Sequence, residues 1–168
     1  MEPLIAASFK TGFISTILGP RRVGKTSLVK HLLQQLSNAK ICPLNLDSMQ
    51  IRERINKLEL RALIEENCQQ KIGGTQKLWV AIDEAQKCPA LFDQIKIIYD
   101  EWKDNDKIKF ILTGSAHLSL HQLSAETLAG RIELFYLQPF TLREISKINA
   151  SDLPTSSLLN LINATPAA

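Results

Sequence analysis

One run of residues constrains this chain more than any other: Gly19-Pro20-Arg21-Arg22-Val23-Gly24-Lys25-Thr26, which fits the spacing G-x-x-x-x-G-K-[ST]. An apolar, β-branched run, Phe13 to Leu18, precedes it. A helical period follows from Lys25 to about Leu36, with Leu28, Leu32, Leu33 and Leu36 on one face. A strand that ends in such a loop and re-enters a helix aims backbone N–H groups and the positive end of a helix dipole at one point. Gly19 permits the sharp exit from the strand, and Gly24 lets backbone approach a phosphate with no Cβ in the way. Pro20, Arg21, Arg22 and Val23 form the loop, and Ser27 continues it into the helix. Lys25 supplies a point charge for β- and γ-phosphates, and the Thr26 hydroxyl is placed to ligate Mg²⁺. The pattern predicts a strand–loop–helix unit that holds a nucleoside triphosphate, with ATP or ADP and Mg²⁺ as the expected ligands.

The rest of the chain alternates short apolar runs with longer helical periods. Ile41 to Leu46 reads as a second strand, and about Met49 to Gln70 as one long amphipathic helix with Ile51, Ile55, Leu58 and Leu63 inward. Its basic residues, Arg54, Lys57 and Arg61, read as a solvated face. Leu78 to Ile82 is apolar at every position, the signature of a strand buried on both faces of a parallel sheet. Pro89 opens a helix through about Trp102, with Leu91, Ile95, Ile98 and Trp102 toward the core. Ile108 to Thr113 and Ile132 to Leu137 read as further strands, and Thr141 to Glu144 as a capping box. The alternation predicts an α/β doubly wound fold. Residues 1–150 are expected to form one domain, and 151–168 a tail or the start of a following region.

Two further strand ends carry chemistry. A carboxylate at the carboxyl end of a buried strand lies at the crevice where open α/β sheets bind ligands. Asp83 is the candidate to hold Mg²⁺, and Glu84 the candidate to polarise a water for attack on a γ-phosphate. The strand through Leu112 ends in Thr113-Gly114-Ser115, where either hydroxyl could meet the γ-phosphate or the attacking water.

Composition narrows the alternatives. The net charge of +3 is too small to imply nucleic acid, and no run approaches the roughly 18 apolar residues of a membrane span. Cys42, Cys68 and Cys88 form no CxxC pair, which fits small buried side chains and a reducing cytoplasm. His31, His117 and His121 lack metal-ligand spacing with carboxylates.

GPRRVGKTSL, LWVAIDEAQ, FILTGSA and ETLAGRIELFYLQPFTLREI, in this order, resemble the AAA superclass of P-loop ATPases. More narrowly, they resemble a prokaryotic group in which a nucleotide-binding domain precedes a poorly characterised C-terminal domain. The resemblance covers about residues 12 to 148. It implies a three-layer sandwich with five parallel strands ordered 5-1-4-3-2. It further implies that Thr26 and Asp83 serve magnesium, Glu84 the water, and Thr113 or Ser115 a sensor role. Arg131 stands open between stabilising transition-state charge, in this chain or across a subunit contact, and tying its strand to a carboxylate. An ATPase that couples MgATP to a conformational change is the expected function, with turnover weak in a chain that carries little after Glu144 to form a lid. A nucleotide-gated binding module and a P-loop small-molecule kinase are the alternatives. A GTPase lacks its N-K-x-D segment here. Self-association, a protein partner and the C-terminal domain of a longer chain are the expected partners, with nucleic acid left open and no membrane.

Overall fold

A computed structural model of the chain describes residues 1–37, 39–115 and 127–139. The chain divides after Gln138 into two units, and every described residue except Pro139 belongs to the first. The expected capping box at Thr141–Glu144, Phe140, His117, His121 and the tail lie outside the described residues.

The elements run α1 (Glu2–Ser8), β1 (Ile14–Gly19), α2 (Lys25–Gln34), β2 (Lys40–Asn45), α3 (Met49–Asn56), α4 (Leu60–Cys68), β3 (Leu78–Asp83), a short 3-10 turn (Ala85–Lys87), α5 (Ala90–Trp102), β4 (Ile108–Ser115) and β5 (Ile132–Tyr136). All five strands are parallel, in the order β2-β3-β4-β1-β5. This is the expected order read from its other edge. The period of two in a strand sends alternate side chains to opposite faces. Leu78, Val80 and Ile82 of β3, Phe110 and Leu112 of β4, and Ile14 and Leu18 of β1 therefore share one core with α3, α4 and α5. Trp79, Ile111 and Ile17 point the other way and pack with α1 and α2, where Phe9 tilts against Trp79 at 5.6 Å between ring centres. The result is a three-layer sandwich. Among the described residues no helix is long and apolar enough to cross a membrane.

Two expectations about helices are corrected. The segment from Met49 to Gln70 is not one helix but two, broken at Lys57-Leu58-Glu59. Leu58 is not inward: it turns into a left-handed conformation (φ 63°) and is 73% exposed. Breaking a helix frees backbone groups that need partners. Gln94, reaching from α5, supplies them at this break. Its amide donates to the Ile55 carbonyl at 2.7 Å, and its carbonyl accepts from the Leu60 N–H at 3.0 Å. The supposed solvated basic face is also partly engaged, since Arg54 pairs with Glu59 and Glu66, and Arg61 with Glu101.

Ahead of the first strand, where the sequence patterning assigns no element, lies α1. It docks through Ile5 and Phe9 and is held by Lys109 of β4. The Lys109 ammonium donates to the carbonyls of Ser8 at 2.7 Å, Thr11 at 3.2 Å and Phe13. Burial pushes its pKa down to about 8.

Candidate functional site

The site assembles where β1, β3 and β4 end. Parallel strands present their carboxyl ends on one edge, so loops from distant parts of the sequence meet there. Gly24, in the left-handed region at φ 92°, caps α2, and its carbonyl accepts the first helical bond from Leu28 N–H at 2.9 Å. No atom lies within 4 Å of where a Gly24 Cβ would stand, so this position faces open space. Gly19 is the opposite case. A Cβ there would lie 2.3 Å from the Leu137 carbonyl oxygen and 3.2 Å from Val23.

Lys25 is buried at the start of α2. Its ammonium donates to the carbonyls of Gly19 at 3.0 Å and Pro20 at 2.7 Å, two groups of its own loop. Arg21 and Arg22 are exposed and line a cavity of about 400 Å³ together with Lys25, Thr26 and Glu84. Arg22 takes a left-handed backbone (φ 66°), the turn that carries the loop back toward Gly24. Ser27 is exposed one residue further on.

Asp83 ties three segments together. Thr26 Oγ1 donates to its Oδ2 at 2.7 Å, and Thr113 Oγ1 donates to its Oδ1. The Glu84 N–H also reaches Oδ1, at 3.1 Å. Residues 26, 83 and 113 thus converge on one carboxylate. Thr113 meets Asp83, whereas Ser115 stands in register with Gly19 at the start of the loop. Glu84 adopts a left-handed turn (φ 57°) that opens the 3-10 segment. Its Oε2 accepts from Gln86 Nε2 at 2.6 Å, while Gln86 Oε1 is buried without a partner.

Arg131 is not brought to this place. Its carbonyl accepts from Ile14 N–H at 2.7 Å, which puts it beside the first residue of β1. The loop begins at the other end of that strand, on the order of 16 Å away at the usual rise of about 3.3 Å per residue. The Arg131 guanidinium grips Asp100 of α5 through two bonds of 2.8 and 2.9 Å, and donates to the Ala129 carbonyl. This pairing holds the Asp100 carboxyl below the usual carboxylate range. Of the roles left open by sequence, a charge-stabilising part at this chain's own loop does not fit the geometry.

Sequence reasoning passes over Asp47, Gln86 and Lys87. Asp47 and Lys87 pair with each other and also line the cavity. The rule that singles out Asp83 after β3 applies equally to Asp47 after β2, and that signal could have found it.

A sheet in this strand order, with the loop after β1 and a carboxylate ending β3, defines an AAA-type P-loop ATPase domain. Residues 12–146 match the AAA domain family, and the chain belongs to it. Over 74 residues the chain is 36% identical to uncharacterized proteins of Mycobacterium bovis and Mycobacterium tuberculosis. That stretch covers 44% of this chain but 16% of each relative, so only a small part of their length is matched. Among solved structures, the chain is similar to the ORC1 protein of Aeropyrum pernix in complex with DNA (TM-score 0.61, 12% identity, 90% of this chain and 47% of that one). It is also similar to PCH-2 of C. elegans (0.53, 16%, 92% and 49%) and to Drosophila ORC bound to DNA (0.52, 12%, 86% and 93%). At these identities the likeness is one of fold.

Proposed function

We propose that this domain binds MgATP in the loop from Gly19 to Thr26 and hydrolyses it, with Glu84 as the base, coupling the cycle to a conformational change. The observation that carries the reading is the convergence of Thr26, Thr113 and Glu84 N–H on the Asp83 carboxylate, beside the cavity lined by Lys25. A hydroxyl and a carboxylate are hard oxygen donors, the set that suits Mg²⁺, and Thr26 and Asp83 would hold it. Bound there, the ion supplies neutralisation of charge on the β- and γ-phosphate oxygens. Lys25 exchanges its two loop carbonyls for phosphate oxygens. The backbone N–H groups at the start of α2 orient the same phosphates. Glu84 takes a proton from a water as that water's oxygen attacks the γ-phosphorus, and the bond to the ADP oxygen breaks. Thr113 keeps the Asp83 carboxylate aimed at the ion while that happens.

A second reading is a nucleotide-gated module with little turnover. Its support is that Glu84 spends one oxygen on Gln86. Glu84→Gln separates the two. The variant should bind MgATP like the parent and release phosphate about 10²–10⁴-fold more slowly. Unchanged phosphate release would rule out Glu84 as the base, and a parent with no turnover would favour the gated module.

What the cycle acts on is proposed to lie outside this domain. A following domain of a longer chain, beginning near residue 151, and a second subunit are the partners this reading favours. Arg131, remote from its own loop, would stabilise transition-state charge only at a neighbouring subunit's loop. A cytoplasmic setting is proposed on the three cysteines, all free and buried.

A further inference from the structure

Two side chains on the cavity wall have no part in the mechanism so far. Lys87 ends the 3-10 turn that follows Glu84, and its N–H bonds the Glu84 carbonyl at 2.9 Å. Asp47 follows β2, whose last residue, Asn45, stands in register with Asp83. Lys87 Nζ donates to Asp47 Oδ1, and both side chains reach the cavity lined by Lys25 and Thr26. In the sheet β3 lies two strands from β1, about 10 Å at the usual strand spacing. Lys87 stands three residues after Glu84 and lines the same cavity as Arg21, Arg22, Lys25 and Thr26 of the loop.

The pair is poorly suited to a purely structural task. The Lys87 and Asp47 side chains are 35% and 58% exposed, and water screens such exposed pairs so that they add little to a fold. The Asp47 backbone is fixed without Lys87. Arg52 fixes its backbone by donating to the Asp47 carbonyl at 3.0 Å, and Asn45 Oδ1 accepts from its N–H at 2.9 Å. The carboxyl is held below its ordinary range by Lys87 first, then by Arg52 and Arg21. Arg52 and Arg21 remain beside the Asp47 carboxyl when Lys87 moves away.

We propose that Lys87 is a second phosphate-binding lysine, selective for a γ-phosphate, and that Asp47 holds it in reserve until a triphosphate arrives. The inference rests on the MgATP reading above. A terminal phosphate carries more negative charge than one carboxylate and offers three acceptor oxygens, so it competes with Asp47 for the ammonium. A diphosphate does not reach the Glu84 end and leaves the pair intact.

The test compares the full chain with its Lys87→Met and Asp47→Asn variants, titrated with MgADP and with a non-hydrolysable MgATP analogue carrying an imido bridge. A charge-assisted phosphate contact of about 1.5–3 kcal/mol corresponds to roughly 10- to 150-fold in affinity. Lys87→Met should therefore weaken the triphosphate analogue at least about 10-fold, with MgADP within about 2-fold of the parent. Asp47→Asn should tighten the analogue and leave MgADP alone. An unchanged ratio of the two affinities in both variants, with the parent binding both nucleotides, overturns the role of Lys87 and spares the MgATP reading. Equal weakening of both nucleotides by Lys87→Met overturns the γ-selectivity. A parent that binds neither nucleotide overturns both proposals together.

Discussion

Replacing Lys25 with methionine separates its place in the free domain from its proposed role at the nucleotide. In the free domain the residue is 6% exposed, and its ammonium rests on the carbonyls of Gly19 and Pro20. Methionine keeps most of the aliphatic stem, so little packing is lost. Two carbonyls lose their donor, at about 1–3 kcal/mol each where they are buried. Against this, the variant no longer keeps a cation out of water, a cost of several kcal/mol for a buried charge lacking a carboxylate. These terms oppose each other, and the free variant should stay within about 2 kcal/mol of the parent. Each kcal/mol moves Tm by about 2–4 °C at this size, so the melts should agree within about 8 °C. The ligand term is separate. MgATP at 100 times its Kd stabilises by about 2.7 kcal/mol, some 5–11 °C on the same scale. The variant should forfeit most of that shift. Thermal melts of parent and variant, each with and without MgATP at one fixed concentration, give all four numbers. A variant that keeps the full ligand shift refutes Lys25 as a phosphate ligand. A variant that fails to fold without nucleotide refutes the balance of buried terms.

Three other outcomes follow from contacts described above. Thr113→Val removes one donor to Asp83, so the Mg²⁺ concentration needed for half-maximal ATP binding should rise, with metal-free ADP binding unchanged; identical Mg²⁺ titrations would deny Thr113 its positioning role. Lys109 has its folded pKa lowered from 10.5 to about 8, so the unfolded chain binds more protons between those values and stability gains with pH there. Its full cost is present below about pH 8, and the stability difference between parent and Lys109→Met should shift in the parent's favour across that window; parallel pH profiles would count against it. Burial pushes the Cys42 thiol up to about 12 and raises Cys68 and Cys88 as well. A thiol reagent at pH 8 should therefore leave all three unmodified in the native domain and label three in denaturant, and rapid native labelling would contradict the burial.

The sheet was legible because its signals are local and redundant. Leu78 to Ile82 is apolar at each position, and the glycine–lysine run marks the end of β1 without reference to anything distant. The break between α3 and α4 was not legible, because the residue that makes it affordable, Gln94, lies on another helix. Helical period alone runs straight through Leu58, and no capping residue there announces a stop. The anchoring of α1 escaped for the same reason, since Lys109 reads as an ordinary polar interruption of β4 until its three carbonyl partners are in view. At the candidate site, the strand-end rule selects Asp83 and Glu84, and the hydroxyl of Thr113 lies where that rule puts it. Pairings among such groups are not written in spacing. That Thr113 meets Asp83, that Gln86 takes an oxygen of Glu84, and that Asp47 occupies Lys87 depend on turns whose geometry only the folded chain defines.

The close approach at Gly19 makes the loop and the exit from β5 one mechanical part. Leu137 N–H bonds the Leu18 carbonyl at 2.7 Å, and the Leu137 carbonyl oxygen occupies the space a Gly19 side chain would need. No slack separates the two backbones. A displacement of the loop's first residue must therefore carry residue 137 with it, and a pull on residue 137 must bear on the loop. The two segments meet main chain on main chain, so no side-chain rotamer change at either position could part them.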